Sequence, residues 1–379
     1  MYKISTLNKI SPVGLSKFSD LYTISDEVSC SSGILVRSQD MHEMAFDKEL
    51  LAIARAGAGV NNIPLDRCAE EGIVVFNTPG ANANAVKELV IAGLILAARN
   101  IPQALNWVNG LEDNVAKTVE KGKSQFAGGE LKGKTLGVAG LGAIGALVAN
   151  AAADLGMKVI GYDPYLSVNA ALRLTPSVKT VETLEDLFET CDYITLHLPA
   201  TDSTKGMINK AVLDRSKGNT VLLNFSRDKL VVEKEILDAL ENGKLASYVT
   251  DFPTDTMINQ EKVILLPHLG ASTAEAEDNC ASMAAEEIMD YIENGNITNS
   301  VNFPALNIGP KKDGETRITF ITKNLDNPIV SVTELLAGIQ ITSIVSKSRG
   351  DYSYTVVCAA GEVSEVPDAD FVIRSRIIK

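Results

Sequence analysis

Short runs of branched apolar residues recur along the first three quarters of the chain, with helical stretches between them. In the first hundred residues these runs are apolar at consecutive positions, as in strands that are buried on both faces of a parallel sheet. The runs are GILVRS at 33–38, LLAIAR at 50–55 and GIVVFN at 72–77. The pattern predicts a small α/β domain at the start of the chain.

A stricter alternation begins at Thr135. Six apolar runs alternate with amphipathic segments, and this alternation predicts a doubly wound parallel sheet of the Rossmann type. The runs are TLGVAG (135–140), KVIGYD (158–163), YITLHLP (193–199), TVLLNFS (220–226), SYVTDF (247–252) and KVILLPH (262–268).

The final third of the chain changes character twice. Ser272 and Glu275 form a capping-box pattern, which predicts the start of a long helix that ends near Gly295. The polar segment NIGPKKDGET then indicates a linker. The remaining residues predict a small α+β module in the order β-α-β-β-β, with the segments TRITFIT, VTELLAGI, ITSIVSK, YSYTVVCAA and DFVIRSRII.

Composition and charge exclude several classes of function. The net charge of −13 leaves no basic surplus to replace the counterions of a nucleic acid. The N-terminus has no apolar signal core, and no apolar stretch is long enough to cross a bilayer, so we expect a cytoplasmic protein without a membrane contact. No CxxC spacing occurs, and we expect reduced thiols and no metal site among the cysteines, which are Cys30, Cys68, Cys191, Cys280 and Cys358.

A glycine motif indicates the cofactor. The pattern GxGxxG, formed by Gly140, Gly142 and Gly145, follows a predicted strand and opens a predicted helix that begins with Ala143 and Ile144. Such a turn lets a pyrophosphate approach the backbone and the N-terminus of the helix. Asp163 ends the next strand, where a carboxylate accepts from ribose hydroxyls and repels a 2′-phosphate. The motif predicts NAD rather than NADP, although Asp163 could instead only start a turn.

Three polar residues follow predicted strands at the edge where catalysis is expected. Arg227 suits the binding of a substrate carboxylate, and His268 suits the transfer of a hydroxyl proton. Asp255 could stabilise the protonated imidazole. Each residue also has a purely structural interpretation. Arg227 could form a surface ion pair, His268 could be a hydrogen-bonded histidine at a domain boundary, and Asp255 could be a turn residue. Of the other two histidines, His197 is expected to border the cofactor and His42 to lie in a surface helix.

Together these segments resemble the D-isomer-specific 2-hydroxyacid dehydrogenase family over the chain up to about Pro304. The resemblance implies a Rossmann NAD domain (99–271) inserted in a smaller flavodoxin-like substrate domain (1–98 and 272–304), before a linker (305–315) and an ACT-like module (316–379). The matching segments are ARAGAGVNNI (54–63), NTPGANANAVKELV (77–90), LKGKTLGVAGLGAIG (131–145), HLPATDSTKGMIN (197–209), NFSRDKLV (224–231) and LLPHLGAST (265–273).

The resemblance also implies roles for single residues. The family's Arg–acid–His triad falls on Arg227, Asp255 and His268, and the backbone N–H groups of Val60 and Asn61 would hold the substrate carboxylate. The glycine motif, Arg227 and His268 are expected to line the cofactor. Further residues are expected to do so as well, and they are Asp163, His197, Pro199, Thr204, Phe225, Ser226, Asp251 and Gly270.

Two departures from the family concern the triad. The family's usual acid is Glu, whereas this chain has the shorter Asp255, with one residue missing before it. The glycine that usually follows the catalytic arginine is Asp228 here.

Two features indicate where the chain belongs within this family, and the first of them favours a phosphorylated 2-hydroxy acid as substrate. Arg37, followed by Ser38, and Arg55 end strands of the substrate domain at positions that resemble phosphate-binding positions in the family. A phosphorylated substrate needs such cations in an acidic protein, although either arginine could be a structural ion-pair partner. The C-terminal module resembles an ACT domain without its second helix, and it has Asp326 and Gln340 where some relatives bind serine through Asn.

The alternatives are a dehydrogenase for another 2-hydroxy acid and a binding protein that senses NADH, because one fold serves several functions. The resemblance also implies a homo-oligomer, either a dimer formed through the NAD domain or a tetramer.

Overall fold

The computed structural model describes all 379 residues, and these divide into two compact units. The first unit contains residues 1–82 and 274–379, and the second contains residues 83–273. Three sheets form the framework. The first sheet contains β1 (Tyr2–Leu7), β2 (Tyr22–Ser25), β3 (Gly33–Val36), β4 (Ala52–Arg55) and β5 (Val74–Asn77). The second contains β6 (Thr135–Ala139), β7 (Lys158–Tyr162), β8 (Lys179–Thr180), β9 (Tyr193–Leu196), β10 (Thr220–Asn224), β11 (Leu245–Thr250) and β12 (Val263–Leu265). The third contains β13 (Glu315–Lys323), β14 (Ile341–Arg349), β15 (Tyr352–Ala360) and β16 (Val372–Ile378).

Twelve α-helices and two 3₁₀ turns connect the strands. The helices are α1 (Pro12–Leu15), α2 (Leu65–Glu70), α3 (Ala83–Ala98), α4 (Ile101–Asn109), α5 (Val115–Gly122), α6 (Ala143–Asp154), α7 (Val168–Ala171), α8 (Leu184–Thr190), α9 (Lys210–Leu213), α10 (Glu233–Glu241), α11 (Ala274–Asn294) and α12 (Pro328–Leu335). The 3₁₀ turns are Lys123–Phe126 and Asp228–Leu230. None of the helices is both long and apolar enough to span a bilayer.

The first sheet is parallel, in the order β2-β1-β3-β4-β5. The apolar runs predicted its last three strands. The first two strands were missed because polar residues interrupt both of them, and β2 is a partly exposed edge strand. His42 also differs from expectation, since it lies in a turn outside any helix.

The second sheet has the order β12-β11-β10-β9-β6-β7-β8, with all strands parallel. This is the doubly wound arrangement that the sequence predicts, and the predicted fold class is confirmed. Helix α3 belongs to this unit, whereas the family resemblance implied that its residues belong to the substrate domain. The reason is packing: Val90 and Leu94 of α3 share a core with Leu136 and Leu223 of the sheet.

The third sheet is antiparallel, in the order β14-β15-β13-β16, and the predicted β-α-β-β-β order is present. One face packs on α12, where Phe320 and Val357 share a core with Val332. On the other face, Tyr354 lies in the same core as Phe76 of the first sheet. The ACT-like module expected as a separate domain is therefore part of the first compact unit.

Three arginines attach this sheet to the rest of the first unit. Arg376 donates to the carbonyl oxygens of Tyr291 and Ile292 near the end of α11, and its guanidinium lies 4.7 Å from the centre of the Tyr291 ring. Arg374 donates to the carbonyl oxygens of Leu50 and Glu71. The buried Arg317 donates to three carbonyl oxygens, those of Asn294, Gly309 and Pro310. The segment expected as a linker is thus held against the sheet that follows it.

Candidate active site

The glycine turn after β6 has the geometry that the motif predicts. Gly140 has a φ of +95°, and a side chain there would place its Cβ 2.5 Å from the carbonyl oxygen of His197. At Gly145, within α6, a Cβ would lie 2.9 Å from the carbonyl carbon of Gly140 and far inside contact distance of its oxygen. No atom lies within 4 Å of a Cβ built on Gly142. The turn is therefore closed at two glycines and open at the third, where a phosphate could approach.

The first turn of α6 faces this open space. Ala143 is exposed and Ile144 half-buried, and their N–H groups lie at the N-terminal end of a twelve-residue helix. Such N–H groups have no partner within the helix, and the helix dipole favours an anion beside them. This end of α6 fits the pyrophosphate of a dinucleotide.

Asp163 has two structural roles: it starts a turn, as the alternative interpretation of the sequence held, and it also holds the glycine turn. One oxygen of its carboxylate accepts the N–H of Leu141 in the glycine turn at 2.9 Å, and the other accepts the N–H of Tyr165 at 2.9 Å. The carboxylate therefore fixes the glycine turn and also starts the next turn. Each oxygen has a second lone pair, so the predicted bonds to ribose hydroxyls stay possible.

The segment after β9 is ordered by its own hydrogen bonds. The Oγ1 of Thr204 donates to the carbonyl oxygen of Pro199 at 2.6 Å, and the Oγ of Ser226 donates to that of Leu198 at 2.7 Å. The Nε2 of His197 contacts the Oγ1 of Thr195 at 3.0 Å, and its Nδ1 is buried without a partner. Burial lowers the pKa of His197 to about 3, so this ring is neutral near pH 7. His197 is therefore unsuited to carry a catalytic proton.

Asp251 follows β11 and is almost fully buried, with 1% of its surface exposed. Its Oδ2 accepts the N–H of Gly270 at 3.0 Å, whereas its Oδ1 is buried without any hydrogen-bond partner. Burial raises the pKa of this carboxyl, and the Gly270 N–H and the charges of His268 and Arg227 oppose that shift. A buried acceptor without a donor is unfavourable. The amide of a nicotinamide ring carries such a donor, so Asp251 fits the cofactor.

Arg227 follows β10 and is exposed. Its Nη1 donates to the carbonyl oxygen of Ser226 at 2.6 Å, and no carboxylate forms an ion pair with it. The neighbouring Asp228, which replaces the family's glycine, starts a 3₁₀ turn. The surface ion pair considered as an alternative for Arg227 is absent, and the guanidinium can bind an anion.

His268 is exposed, and its backbone has a φ of +43°, in the left-handed region that side chains rarely adopt. Its N–H donates to the carbonyl oxygens of Asp251 at 3.0 Å and Leu266 at 3.1 Å. The imidazole packs on the ring of Phe252, with 5.1 Å between the ring centres. The end of β11 thus holds the turn that presents the imidazole.

Asp255, the predicted acid of the triad, is exposed and makes no hydrogen bond or ion pair. Its neighbours Thr254 and Thr256 both donate to the carboxylate of Glu233. The structure therefore shows no hydrogen bond between Asp255 and His268. The role of Asp255 stays a prediction from the family resemblance.

The two arginines expected to bind phosphate lie together in the first unit. Arg37 forms an ion pair with Glu277 at 2.8 Å, and the Nε of Arg55 donates to the carbonyl oxygen of Arg37 at 2.9 Å. Gly57 leaves room for the Arg55 guanidinium, because a Cβ there would lie 2.5 Å from Nη1. Ser38 is exposed, and its N–H donates to the Oδ1 of Asn8 at 2.9 Å. The structural ion pair that was considered as an alternative is therefore present for Arg37, whose partner is Glu277.

Four predicted residues remain to be described: Val60, Asn61, Phe225 and Gly270. The backbone N–H groups of Val60 and Asn61 donate to no acceptor within the chain, as a site for a carboxylate requires. Phe225 is buried beside Gly93 of α3, where an added Cβ would lie 2.9 Å from its ring. Gly270 is buried beside Asp251. Sequence reasoning missed Phe252 and Glu277, because neither lies in a motif that carries chemistry.

Comparison with known proteins identifies the second unit. Residues 91–270 match the model of the D-isomer specific 2-hydroxyacid dehydrogenase, NAD binding domain. The D-3-phosphoglycerate dehydrogenases of Bacillus subtilis and Methanocaldococcus jannaschii are 34% and 35% identical, over 81% and 85% of this chain. The chain spans 60% of the length of each relative.

Two solved structures are also similar. One is 3-phosphoglycerate dehydrogenase from Entamoeba histolytica with NAD⁺ bound, with a TM-score of 0.62 and 28% identity over 80% of this chain and 99% of that one. The other, D-2-hydroxyisocaproate dehydrogenase, has a TM-score of 0.66 and 23% identity over 80% of this chain and 100% of that one, and it supports the fold alone. The predicted cofactor is confirmed, and residues 91–270 are similar to the NAD-binding domain of the D-isomer specific 2-hydroxyacid dehydrogenases.

Proposed function

We propose that this chain oxidises D-3-phosphoglycerate to 3-phosphohydroxypyruvate with NAD, the first step of phosphorylated L-serine biosynthesis. One observation carries the proposal: Arg227 and His268 follow neighbouring segments at the ends of strands of the NAD-binding unit, and the N–H of His268 donates to the carbonyl oxygen of the buried Asp251. A cation for a carboxylate and a group for a hydroxyl proton therefore lie near the carboxylate that fits the nicotinamide. The dehydrogenases at 34–35% identity favour this substrate over other 2-hydroxy acids.

The chemistry divides between the cofactor and the side chains. Bound NAD would accept the hydride from C2 of the substrate. Arg227 would hold the substrate carboxylate through its planar fork. The backbone N–H groups of Val60 and Asn61 are proposed, from the family resemblance, to bind substrate. His268 would take the proton of the C2 hydroxyl as the carbonyl forms, so it must be neutral before oxidation. The half-buried His197 cannot replace it, because desolvation of its ring lowers its pKa to about 3.

The proposal is tested by the reverse reaction. The chain is mixed with NADH and a panel of 2-keto acids, with and without phosphate, and the loss of NADH absorbance is followed. We expect the highest kcat/KM with 3-phosphohydroxypyruvate. A higher value with hydroxypyruvate or a longer keto acid would support the alternative dehydrogenase. Tight NADH binding without turnover of any keto acid would support the sensing protein.

Arg37 and Arg55 are proposed to bind the substrate phosphate, with Ser38 beside them. Replacing both arginines with Gln is expected to lower kcat/KM for 3-phosphohydroxypyruvate about 100-fold, because two charge-assisted contacts are lost. The value for unphosphorylated hydroxypyruvate is expected to stay within a factor of about three. Arg349→Gln is the control, since Arg349 is an exposed arginine of the same unit. An equal loss for both keto acids would contradict a phosphate role.

The proposal extends to assembly and location. We propose a cytoplasmic homo-oligomer, either a dimer formed through the NAD domain or a tetramer. Light scattering after size-exclusion chromatography measures its mass against the 40.5 kDa of one chain. A monomer at micromolar concentration would contradict this part of the proposal.

A further inference from the structure

An ion pair occupies one of the two arginines that are proposed to bind the substrate phosphate. Arg37 follows β3 and Arg55 ends β4, and these neighbouring strands are parallel, so both side chains lie at the same edge of the first sheet. The Nε of Arg55 donates to the carbonyl oxygen of Arg37 at 2.9 Å. Glu277, in the first turn of α11, places its Oε1 2.8 Å from the Nη1 of Arg37. A carboxylate therefore holds the guanidinium that a phosphate would need.

This ion pair can open without leaving a buried charge. The side chains of Arg37 and Glu277 are 37% and 43% exposed, so water reaches both of them. Exposed ion pairs are weak, because water solvates the separated charges well. The Glu277 carboxylate also lies in the first turn of a 21-residue helix, whose dipole stabilises it with or without Arg37. A dianion can therefore displace Glu277 at little cost.

Helix α11 does not depend on this ion pair for its position. Its buried Ile288 shares a core with Ala54 of β4. Asp278, the neighbour of Glu277, accepts the hydroxyl of Ser11, which precedes α1. The removal of the charge at Glu277 should therefore leave the fold intact.

We propose that Glu277 competes with the substrate phosphate for the Arg37 guanidinium, and so determines how strongly this site selects a phosphorylated 2-hydroxy acid; this role rests on the proposed function. A phosphate monoester carries a charge of about −1.5 to −2 at pH 7. Its oxygens can form the paired hydrogen bonds to the guanidinium only after the carboxylate has left, and the carboxylate repels them until then. An unphosphorylated keto acid has no group at this position, so it does not meet the competition.

The substitution Glu277→Gln keeps the size of the side chain and removes its charge. We expect kcat/KM for 3-phosphohydroxypyruvate to rise about fivefold, which is the upper limit for one exposed ion pair. The change should fall on KM and leave kcat unchanged, because the phosphate contact is the same in the ground state and the transition state. The value for hydroxypyruvate should stay within about twofold. Glu275→Gln is the matched control, since it removes a charge from the same turn of α11 but Glu275 forms no ion pair.

The binding of inorganic phosphate gives a readout that does not depend on turnover. Isothermal titration calorimetry of the full chain is expected to show an affinity about fivefold higher in Glu277→Gln and unchanged in Glu275→Gln. An affinity in Glu277→Gln equal to that of the parent would overturn the proposal. A lower affinity would overturn it as well, because Glu277 would then orient Arg37 for the phosphate. An equal rise in both variants would also overturn it, since net charge alone would explain the result.

The two readouts separate this proposal from the proposed function. Stronger phosphate binding in Glu277→Gln, in a chain that reduces no keto acid, would contradict the proposed function but not the competition at Arg37. Normal turnover of 3-phosphohydroxypyruvate, with no change in KM or in phosphate affinity, would contradict the competition alone.

Discussion

Replacing Arg227 with Gln is expected to lower kcat/KM for the keto acid about 1000-fold and to lower the affinity for NADH far less. Arg227 follows β10, and no carboxylate competes for its guanidinium. Glutamine keeps most of the length of the side chain but loses the charge and the two-pronged hydrogen bond to a carboxylate. The loss should therefore fall on the substrate rather than on the fold.

The measurement compares NADH oxidation with NADH binding, followed by the fluorescence of the reduced nicotinamide. Arg215→Gln is the matched control, because Arg215 lies on the surface of the same unit and forms an ion pair with Glu189. We expect the control to retain its activity. A value of kcat/KM for Arg227→Gln within threefold of the parent would remove Arg227 from the site.

The substitution Gly145→Ala is expected to destabilise the NAD-binding unit by about 3 kcal/mol. The new methyl group would lie inside the contact distance of the Gly140 carbonyl, and both groups belong to backbone that cannot turn aside. For a unit of this size, the midpoint of thermal unfolding should fall by about 10 °C. Differential scanning calorimetry without a ligand measures the change.

Gly142→Ala provides the matched control for the same turn. Its Cβ meets no atom within 4 Å, and the φ of −69° is ordinary for alanine, so the midpoint should stay unchanged. NADH affinity should nevertheless fall about tenfold, because the methyl group occupies the space proposed for the pyrophosphate. Equal thermal stability of the two variants, Gly145→Ala and Gly142→Ala, would contradict this description of the turn.

The sequence was most informative where burial is complete. Strands β9 and β10 are buried at every position, and their uninterrupted apolar runs predicted them correctly. Strand β1 was missed because Lys3, Ser5 and Thr6 interrupt its pattern, although the strand pairs on both sides. The segment predicted as a linker differs from expectation for a related reason, since a buried arginine, Arg317, holds a polar segment whose composition is typical of a loop.

At the candidate site, the sequence predicted the residues with motifs and missed those that act through packing. The glycine turn is a local property, and its spacing alone indicated the geometry. The contact between Phe252 and His268 joins the ends of two different strands, and no periodicity encodes it. The same limit applies to Asp255, which the motif suggested as the acid of the triad and which the structure leaves exposed, without a hydrogen bond to His268.

The sheet of residues 315–378 has a consequence for regulation. Because Tyr354 and Phe76 lie in one core, this sheet and the N-terminal sheet share a hydrophobic interior, and we expect them to unfold together. Cutting the chain before β13 would expose apolar core instead of removing an independent module. An effector that binds to this sheet would have to act by straining the shared interior, in particular the carbonyl groups near the end of α11 that Arg376 holds.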